Sequence, residues 1–109
     1  MVKDERAVQA MGYFTEIAEE LNSDGVSSGG LFGKPSLKIG TKAFACQFRD
    51  GVAFKLSPDV HAEALGLAGA ELFDPSGKGR PMKEWVQVPV DHAQRWLEFA
   101  RQALQHVRG

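Results

Sequence analysis

The chain has 109 residues, which is the usual size of one domain with a single hydrophobic core. Apolar residues make up 43% and charged residues 25%, and these ordinary globular proportions exclude a disordered chain. The net charge of −1 gives no overall signal for nucleic acid or for a membrane surface. The single cysteine excludes an intrachain disulfide and a cysteine-built metal site. We therefore predict one domain spanning residues 1–109.

The charges are unevenly distributed along this chain. Residues 1–24 carry six acidic and two basic side chains, whereas residues 25–83 carry eight basic and five acidic ones. Such an asymmetry is typical of an ordinary solvated surface, and less often it marks a surface that meets a charged partner. The chain has no charged-then-apolar leader pattern and no apolar run of about 18 residues. We expect a cytoplasmic protein with no membrane partner.

The first predicted element is a helix over residues 4–21, because apolar residues recur there every three or four positions. Turn-forming residues at 22–25 end it, and residues 26–30 are predicted to be a loop of small residues. The predicted core stripe of this helix comprises Val8, Met11, Phe14, Ile17, Ala18 and Leu21.

A three-stranded antiparallel meander is predicted next. A two-residue turn at Gly40-Thr41 would pair Ile39 with Lys42 and Leu37 with Phe44, since glycine at the first turn position suits a type II′ turn.

The second turn of the meander has two readings. A two-residue turn at Asp50-Gly51 would split the apolar residues between the two faces of the sheet. A three-residue loop over 49–51 instead pairs Phe48 with Val52, and we predict this loop because it keeps the large apolar side chains together. The predicted core face then carries Leu37, Ile39, Phe44, Cys46, Phe48, Val52, Phe54 and Leu56, and the opposite face Ser36, Lys38, Ala43, Ala45, Gln47, Ala53 and Lys55.

The rest of the chain is predicted to add two helices and two strands. Ser57 as N-cap and Pro58 at the first helical position begin a helix that extends to about Leu65. A short strand at 70–73, a turn-rich loop at 74–81 and a strand at 82–88 follow. Asp91 is predicted to cap the last helix, with Gln94 completing a capping box. The core stripe of that helix comprises Trp96, Leu97, Ala100, Ala103, Leu104 and Val107.

These elements follow one another in the order αβββαββα. Strands joined by hairpins, with helices before and after them, favour an α+β fold in which the helices pack on one face of an antiparallel sheet.

The sequence contains no recognisable catalytic signature. Residues 28–35 do not form a phosphate-binding loop, because Ser28 stands where the first glycine is required and Pro35 follows Lys34. Cys46 is predicted to be a small buried core residue rather than a reactive thiol. The three histidines, His61, His92 and His106, have no metal-ligand spacing, so we predict no metal and no cofactor. A pocket that joined Glu84, a histidine and Lys78 would instead favour a small-molecule enzyme.

The strongest functional pattern lies in the turn-rich loop. Lys78 and Arg80, separated by glycine, are suited to contact phosphate groups, and Lys38 and Lys55 on the small-residue sheet face would extend that surface. Trp85 alternates away from Val86 and Val88, so it either covers the alanine-rich face or lies at a partner interface.

A family resemblance covers nearly the whole chain. The pair Phe32-Gly33 precedes the first predicted strand, and Lys42 precedes the apolar strand that follows it. Gly51 begins a third strand, which ends in an apolar residue followed by lysine and leucine. Later in the chain come a glycine-rich loop, the strand MKEWVQVP and a terminal helix that contains WLEFARQAL. This pattern resembles the N-terminal domain of TfoX/Sxy proteins and, more distantly, the YjbR/MmcQ-type small proteins. The resemblance implies a role in regulating competence or transcription, with DNA as a partner, and it supplies no catalytic residue.

Two functions from different classes remain after this reading. The first is a non-enzymatic regulatory module that binds a macromolecule, either DNA or a protein partner. The alternative is a protein-interaction module or homodimer that uses the face formed by Ala43, Ala45 and Ala53.

Overall fold

The computed structural model describes the backbone of residues 2–31 and 33–109 and the side chains of residues 5–31 and 33–109. Phe32, part of the pair expected before the first strand, lies outside the described residues. Three helices and six strands are described: α1 (Val2–Leu21), β1 (Val26–Leu31), β2 (Lys34–Ile39), β3 (Lys42–Phe48), β4 (Gly51–Lys55), α2 (Pro58–Leu65), β5 (Glu71–Phe73), β6 (Met82–Pro89) and α3 (Trp96–Arg108).

The α+β class and the order of the predicted elements are confirmed, and one additional strand lies between α1 and the predicted meander. The strands form one antiparallel sheet in the order β1-β2-β3-β4-β6-β5. Residues 26–30, predicted to be a loop, belong to β1, which pairs with β2 from Val26↔Ile39 to Leu31↔Lys34. Serine and glycine have low strand propensity, so pairing with β2 rather than local preference determines this strand.

Helices α1 and α3 pack across one face of the sheet, and α2 packs against β6 and α3. The main core lies between these helices and the sheet, with Phe14, Phe44, Phe54, Trp96 and Phe99 among its large side chains. The predicted stripe of α3 is confirmed at Trp96, Ala100, Ala103, Leu104 and Val107, whereas Leu97 is half-buried and Phe99, which the prediction omitted, is fully buried.

The predicted stripe of α1 is wrong at its N-terminal end. Val8 is 69% exposed and Met11 is 52% exposed, whereas Ala10 is fully buried beside Phe14. Each residue of a helix advances about 100° around the axis, so Val8 and Phe14, six residues apart, project in directions about 120° apart. The buried stripe instead runs through Ala10, Phe14, Ile17 and Leu21.

The predicted register of the meander is correct at its first turn and wrong beyond it. Ile39 pairs with Lys42 and Lys38 with Ala43, as expected for the predicted turn. Phe44 is then an extra, bulged residue in β3, so the next residue of β2, Leu37, pairs with Ala45. Consecutive residues Phe44 and Ala45 therefore both belong to the helix-side core.

The turn between β3 and β4 is also shorter than predicted. Phe48 pairs with Gly51, so Arg49 and Asp50 form a two-residue turn in place of the three-residue loop, and Arg49 has the left-handed φ of 56°. Together with the bulge, this turn brings Cys46 and Phe48 to the face of the sheet that no helix covers. The predicted division of side chains between faces is wrong for these two residues and for Ala45 and Gln47.

The two predicted helix caps differ in outcome. Helix α2 begins at Pro58 as predicted, although the Ser57 side chain makes no capping hydrogen bond. Asp91 does not cap α3: residues Val90–Arg95 form a 3-10 segment, and α3 begins only at Trp96. The Asp91 carboxylate accepts a hydrogen bond from Arg6 of α1 instead, and this ion pair lowers the pKa of Asp91.

Candidate functional site

The sheet face opposite the helices carries a second, smaller apolar cluster. We call this surface the helix-free face; its buried members are Cys46, Phe48, Ala53, Phe73 and Trp85, with Leu31, Ala43 and Met82 packed against them. The Phe73 ring lies between those of Phe48 and Trp85, at centroid distances of 5.3 and 5.9 Å. Because these three rings are buried within the chain, none of them can act as a stacking platform for nucleic-acid bases.

Two of the predicted site lysines lie on this face. Side chains of directly paired residues in an antiparallel sheet project to the same side. Lys38 pairs with Ala43, and Lys55 pairs with Trp85, so both lysines share the face of the second cluster.

Two further cations on this face were missed by the sequence analysis. The Nζ of Lys34 lies 5.5 Å from the centroid of the Phe48 ring, and the guanidinium carbon of Arg49 lies 5.0 Å from it. Cations favour the electron-rich face of an aromatic ring, so Phe48 positions both of them. The predicted register concealed this pair because it placed Phe48 on the helix side of the sheet.

The loop that carries Lys78 and Arg80 is organised around one carboxylate. Asp74 Oδ1 accepts hydrogen bonds from the hydroxyl and amide of Ser76 and from the amide of Gly77. Its Oδ2 accepts from the amides of Gly79 and Arg80, at 2.9 and 3.1 Å. The Ser76 hydroxyl, followed by these amides, lowers the pKa of Asp74. Since these amides are already engaged, an anion would meet the exposed side chains of Lys78 and Arg80 rather than the loop backbone.

The loop and the helix-free face border a common groove. Its volume is about 390 Å³, and it is lined on the sheet side by Phe48, Arg49 and Gln87 and on the loop side by Gly77, Gly79 and Pro81. The structure therefore places the 78–80 segment next to Arg49. Lys38 and Lys55 lie further along the same face.

The cations on the two sides of the molecule differ in their partners. On the helix side, Arg6 bonds to Asp50 and Asp91, Arg95 to Glu63 and Glu98, and Arg101 to Glu20 and Asp24. None of the cations Lys34, Lys38, Arg49, Lys55, Lys78 and Arg80 forms an ion pair with another residue that the structure describes. Glu71 and Asp74 are the carboxylates that line the groove beside them. This side of the molecule consequently has an excess of positive charge.

Trp85 and the predicted alanine surface are not accessible as expected for a partner interface. Trp85 is only 5% exposed and packs against Phe73, so its ring covers part of the sheet within the same chain. Ala45 lies in the helix-side core and Ala53 is fully buried on the opposite side. The surface proposed for a homodimer from Ala43, Ala45 and Ala53 is therefore not formed.

Cys46 is buried in the second cluster, 3.7 Å from the carbonyl oxygen of Gln47. Burial raises the pKa of this thiol to about 11, with the nearby Lys34 opposing that shift. A thiol with such a pKa remains protonated at neutral pH, which does not suit a nucleophile or a metal ligand.

Ionisable side chains meet at a second, shallow cavity on the helix side. A space of about 320 Å³ between β6, α2 and α3 is lined by His61, Lys83, Glu84 and His106, with Leu56 and Pro58 as apolar walls. Nε2 of His106 lies 3.6 Å from Glu84 Oε1, and Nε2 of His61 is 2.8 Å from the carbonyl oxygen of Lys83. The cavity joins Glu84 to two histidines but not to Lys78, and the Glu84 side chain is 63% exposed. No set of three His, Cys, Asp or Glu side chains among the described residues is arranged to hold a metal ion.

Comparisons with known proteins add no further assignment. No family model matches the chain, and neither a curated protein nor a solved structure matches it. Within the described residues, no helix combines the length and the apolar character needed to cross a membrane.

Proposed function

We propose that this protein is a non-enzymatic regulatory module that binds nucleic acid through the helix-free face and the adjoining 78–80 loop. The observation that carries the proposal is the group of six cations on that side, none of which is paired with a described carboxylate, while three arginines on the helix side, Arg6, Arg95 and Arg101, are paired with carboxylates. The resemblance to the TfoX/Sxy N-terminal domain supports the same proposal, including a cytoplasmic location.

The chemistry of the surface favours contacts to the phosphate backbone. Lysine and arginine side chains on one face of a sheet can each approach a phosphate, and the release of condensed counterions then drives binding. The described aromatic rings of this face, Phe48, Phe73 and Trp85, are buried and cannot stack on bases. We therefore expect binding to duplex DNA that depends strongly on salt and little on sequence.

The test is fluorescence anisotropy of a labelled random-sequence duplex at several salt concentrations. If all six cations contact phosphates, the logarithm of the binding constant should fall with the logarithm of salt concentration with a slope of about −5. Replacing Lys78 and Arg80 by alanine should make that slope shallower by about 1.8, because each lost phosphate contact contributes about 0.9.

The matched control is the double variant Arg101→Ala and Arg108→Ala in α3, which removes the same charge from the helix side. This control should leave the slope unchanged. An equal change in both double variants would show that net charge rather than the helix-free face determines binding. Absence of binding at low salt would refute the nucleic-acid function itself.

A further inference from the structure

The sheet has one edge that is open over six residues. Strand β1 lies at the end of the sheet and pairs only with β2, and residues 27–30 are exposed. Among the described residues, β1 forms no backbone hydrogen bond outside its ladder with β2. Alternate amide and carbonyl groups of β1 therefore point outward without a strand partner, which is the arrangement that an added strand requires.

The two edges of the sheet differ in how they are protected. At the far edge, β5 has only three residues and an irregular register between Leu72 and Phe73, and Pro75 follows it in the chain. Short length, irregularity and proline all hinder pairing with a further strand. Strand β1, with the sequence VSSGGL, has none of these features and carries no charge.

Lys38 of β2 determines what kind of strand this edge can accept. Its side chain lies across β1 at Gly29: a Cβ on that glycine would be 3.0 Å from Lys38 Cε and 3.4 Å from Nζ. Glycine at position 29 is thus what allows the lysine to lie over the strand. Since neighbouring strands are about 4.8 Å apart, the side chains of an added strand on the helix-free face would lie next to this ammonium group.

We infer that β1 binds an extended acidic segment of a partner protein, which adds a seventh strand to the sheet and places a carboxylate beside Lys38. Charge complementarity selects this occupant over a second copy of the chain. Antiparallel pairing of two β1 strands would bring two Lys38 ammonium groups to the same face, and residues 26–31 contain no carboxylate to neutralise them. The inference goes beyond the proposed nucleic-acid function, because it uses the backbone of β1 and, of the six phosphate-facing cations, Lys38 alone.

The probe is a capped eight-residue peptide in which valine or threonine alternates with glutamate, and its counterpart with lysine in place of glutamate. Binding is measured by the amide chemical shifts and amide hydrogen exchange of the labelled protein. The acidic peptide should slow exchange at amides within residues 26–31 and bind at least tenfold more tightly than the lysine peptide. Methylation of alternate peptide nitrogens should abolish binding, since it removes the donors of the new ladder.

Variants of the protein separate the two contributions. Lys38→Gln should reduce the preference for the acidic peptide to less than threefold, while the backbone protection of β1 persists. Lys55→Gln, on the same face but in β4, three strands from β1, should leave the preference unchanged. Peptide-induced shifts outside β1 and β2, or equal binding of the two peptides, would overturn the inference.

Self-association has its own signature in the same experiment. If β1 amides become protected with increasing protein concentration and without peptide, a second copy occupies the edge and the acidic-segment inference is wrong. Failure of DNA binding in the salt titration would leave the peptide result unaffected, because the peptide test reads β1 amides directly.

Discussion

Gly51 provides a sharp test of how tightly the centre of the sheet is packed. A Cβ at this position would lie 2.8 Å from the carbonyl oxygen of Val88, 3.3 Å from its carbonyl carbon and 3.4 Å from the Cα of Pro89. All three are backbone atoms of β6, which pairs with β4 at this point, so no side chain can rotate to make room. Gly51→Ala must therefore separate the two strands where the Val90 amide donates to the carbonyl oxygen of Asp50 at 2.8 Å.

The expected cost follows from the steric conflict alone. The φ of Gly51 is not positive, so alanine is compatible with the backbone conformation and only the close approach is lost. Forcing an additional methyl group into a packed site costs about 1–3 kcal/mol. For a domain of this size, that loss lowers Tm by about 5–15 °C.

The matched control is the same substitution at Gly12 in α1, where no atom lies within 4 Å of the added Cβ. Gly12→Ala should raise the free energy of unfolding by about 0.5–1 kcal/mol, because alanine is the better helix former. Urea unfolding followed by tryptophan fluorescence measures both variants. A Gly51→Ala protein as stable as the parent, or a Gly12→Ala protein equally destabilised, would refute the packing argument.

Two further predictions concern ionisable groups. Because the pKa of Asp74 is lowered in the folded protein, its contribution to loop order is complete above about pH 4 and is lost as pH falls through the folded-state pKa. The amide resonances of Gly77 and Gly79 should therefore shift together as pH falls over that range. In the Asp74→Asn variant, these resonances should differ from those of the parent protein already at neutral pH. Cys46 has a folded-state pKa of about 11, so stability should decrease as pH rises from about 8.5 towards that value. A disulfide reagent should label Cys46 at neutral pH only after denaturant is added, and rapid labelling of the folded protein would contradict its burial.

Sequence patterns predicted the elements with strong periodicity and clear boundaries. The stripe of α3, the Gly40-Thr41 turn and the start of α2 at Pro58 all depend on interactions within a few residues of one another, which a linear sequence displays directly. Strand β1 could not be predicted in this way, because its serines and glycines become a strand only through pairing with β2.

The site was only partly predictable because one bulge changes which side chains share a face. The turn forms at Arg49 and Asp50, which is neither of the two turns predicted from the sequence, and with Phe44 as the extra residue in β3 the side chains of Ala45, Val52 and Phe54 still share the main core. A three-residue loop fits a regular β3, and on a regular strand Phe48 would lie on the helix side, away from Lys34 and Arg49. Lys38 and Lys55 were assigned to the correct face, since their neighbours Ala43 and Ala53 kept their predicted side.

The contacts of Arg6 have a consequence for synthesis on the ribosome. This residue, in the first two turns of α1, bonds to Asp50 and to Asp91, which follow it by 44 and 85 positions in the chain. The strand β4 beside Asp50 likewise acquires its second neighbour only when β6 has been made. The nascent chain thus completes the docking of α1 only after Asp91 has been translated, 85 positions beyond Arg6. Until then, the apolar stripe of α1 is a surface that a chaperone can bind.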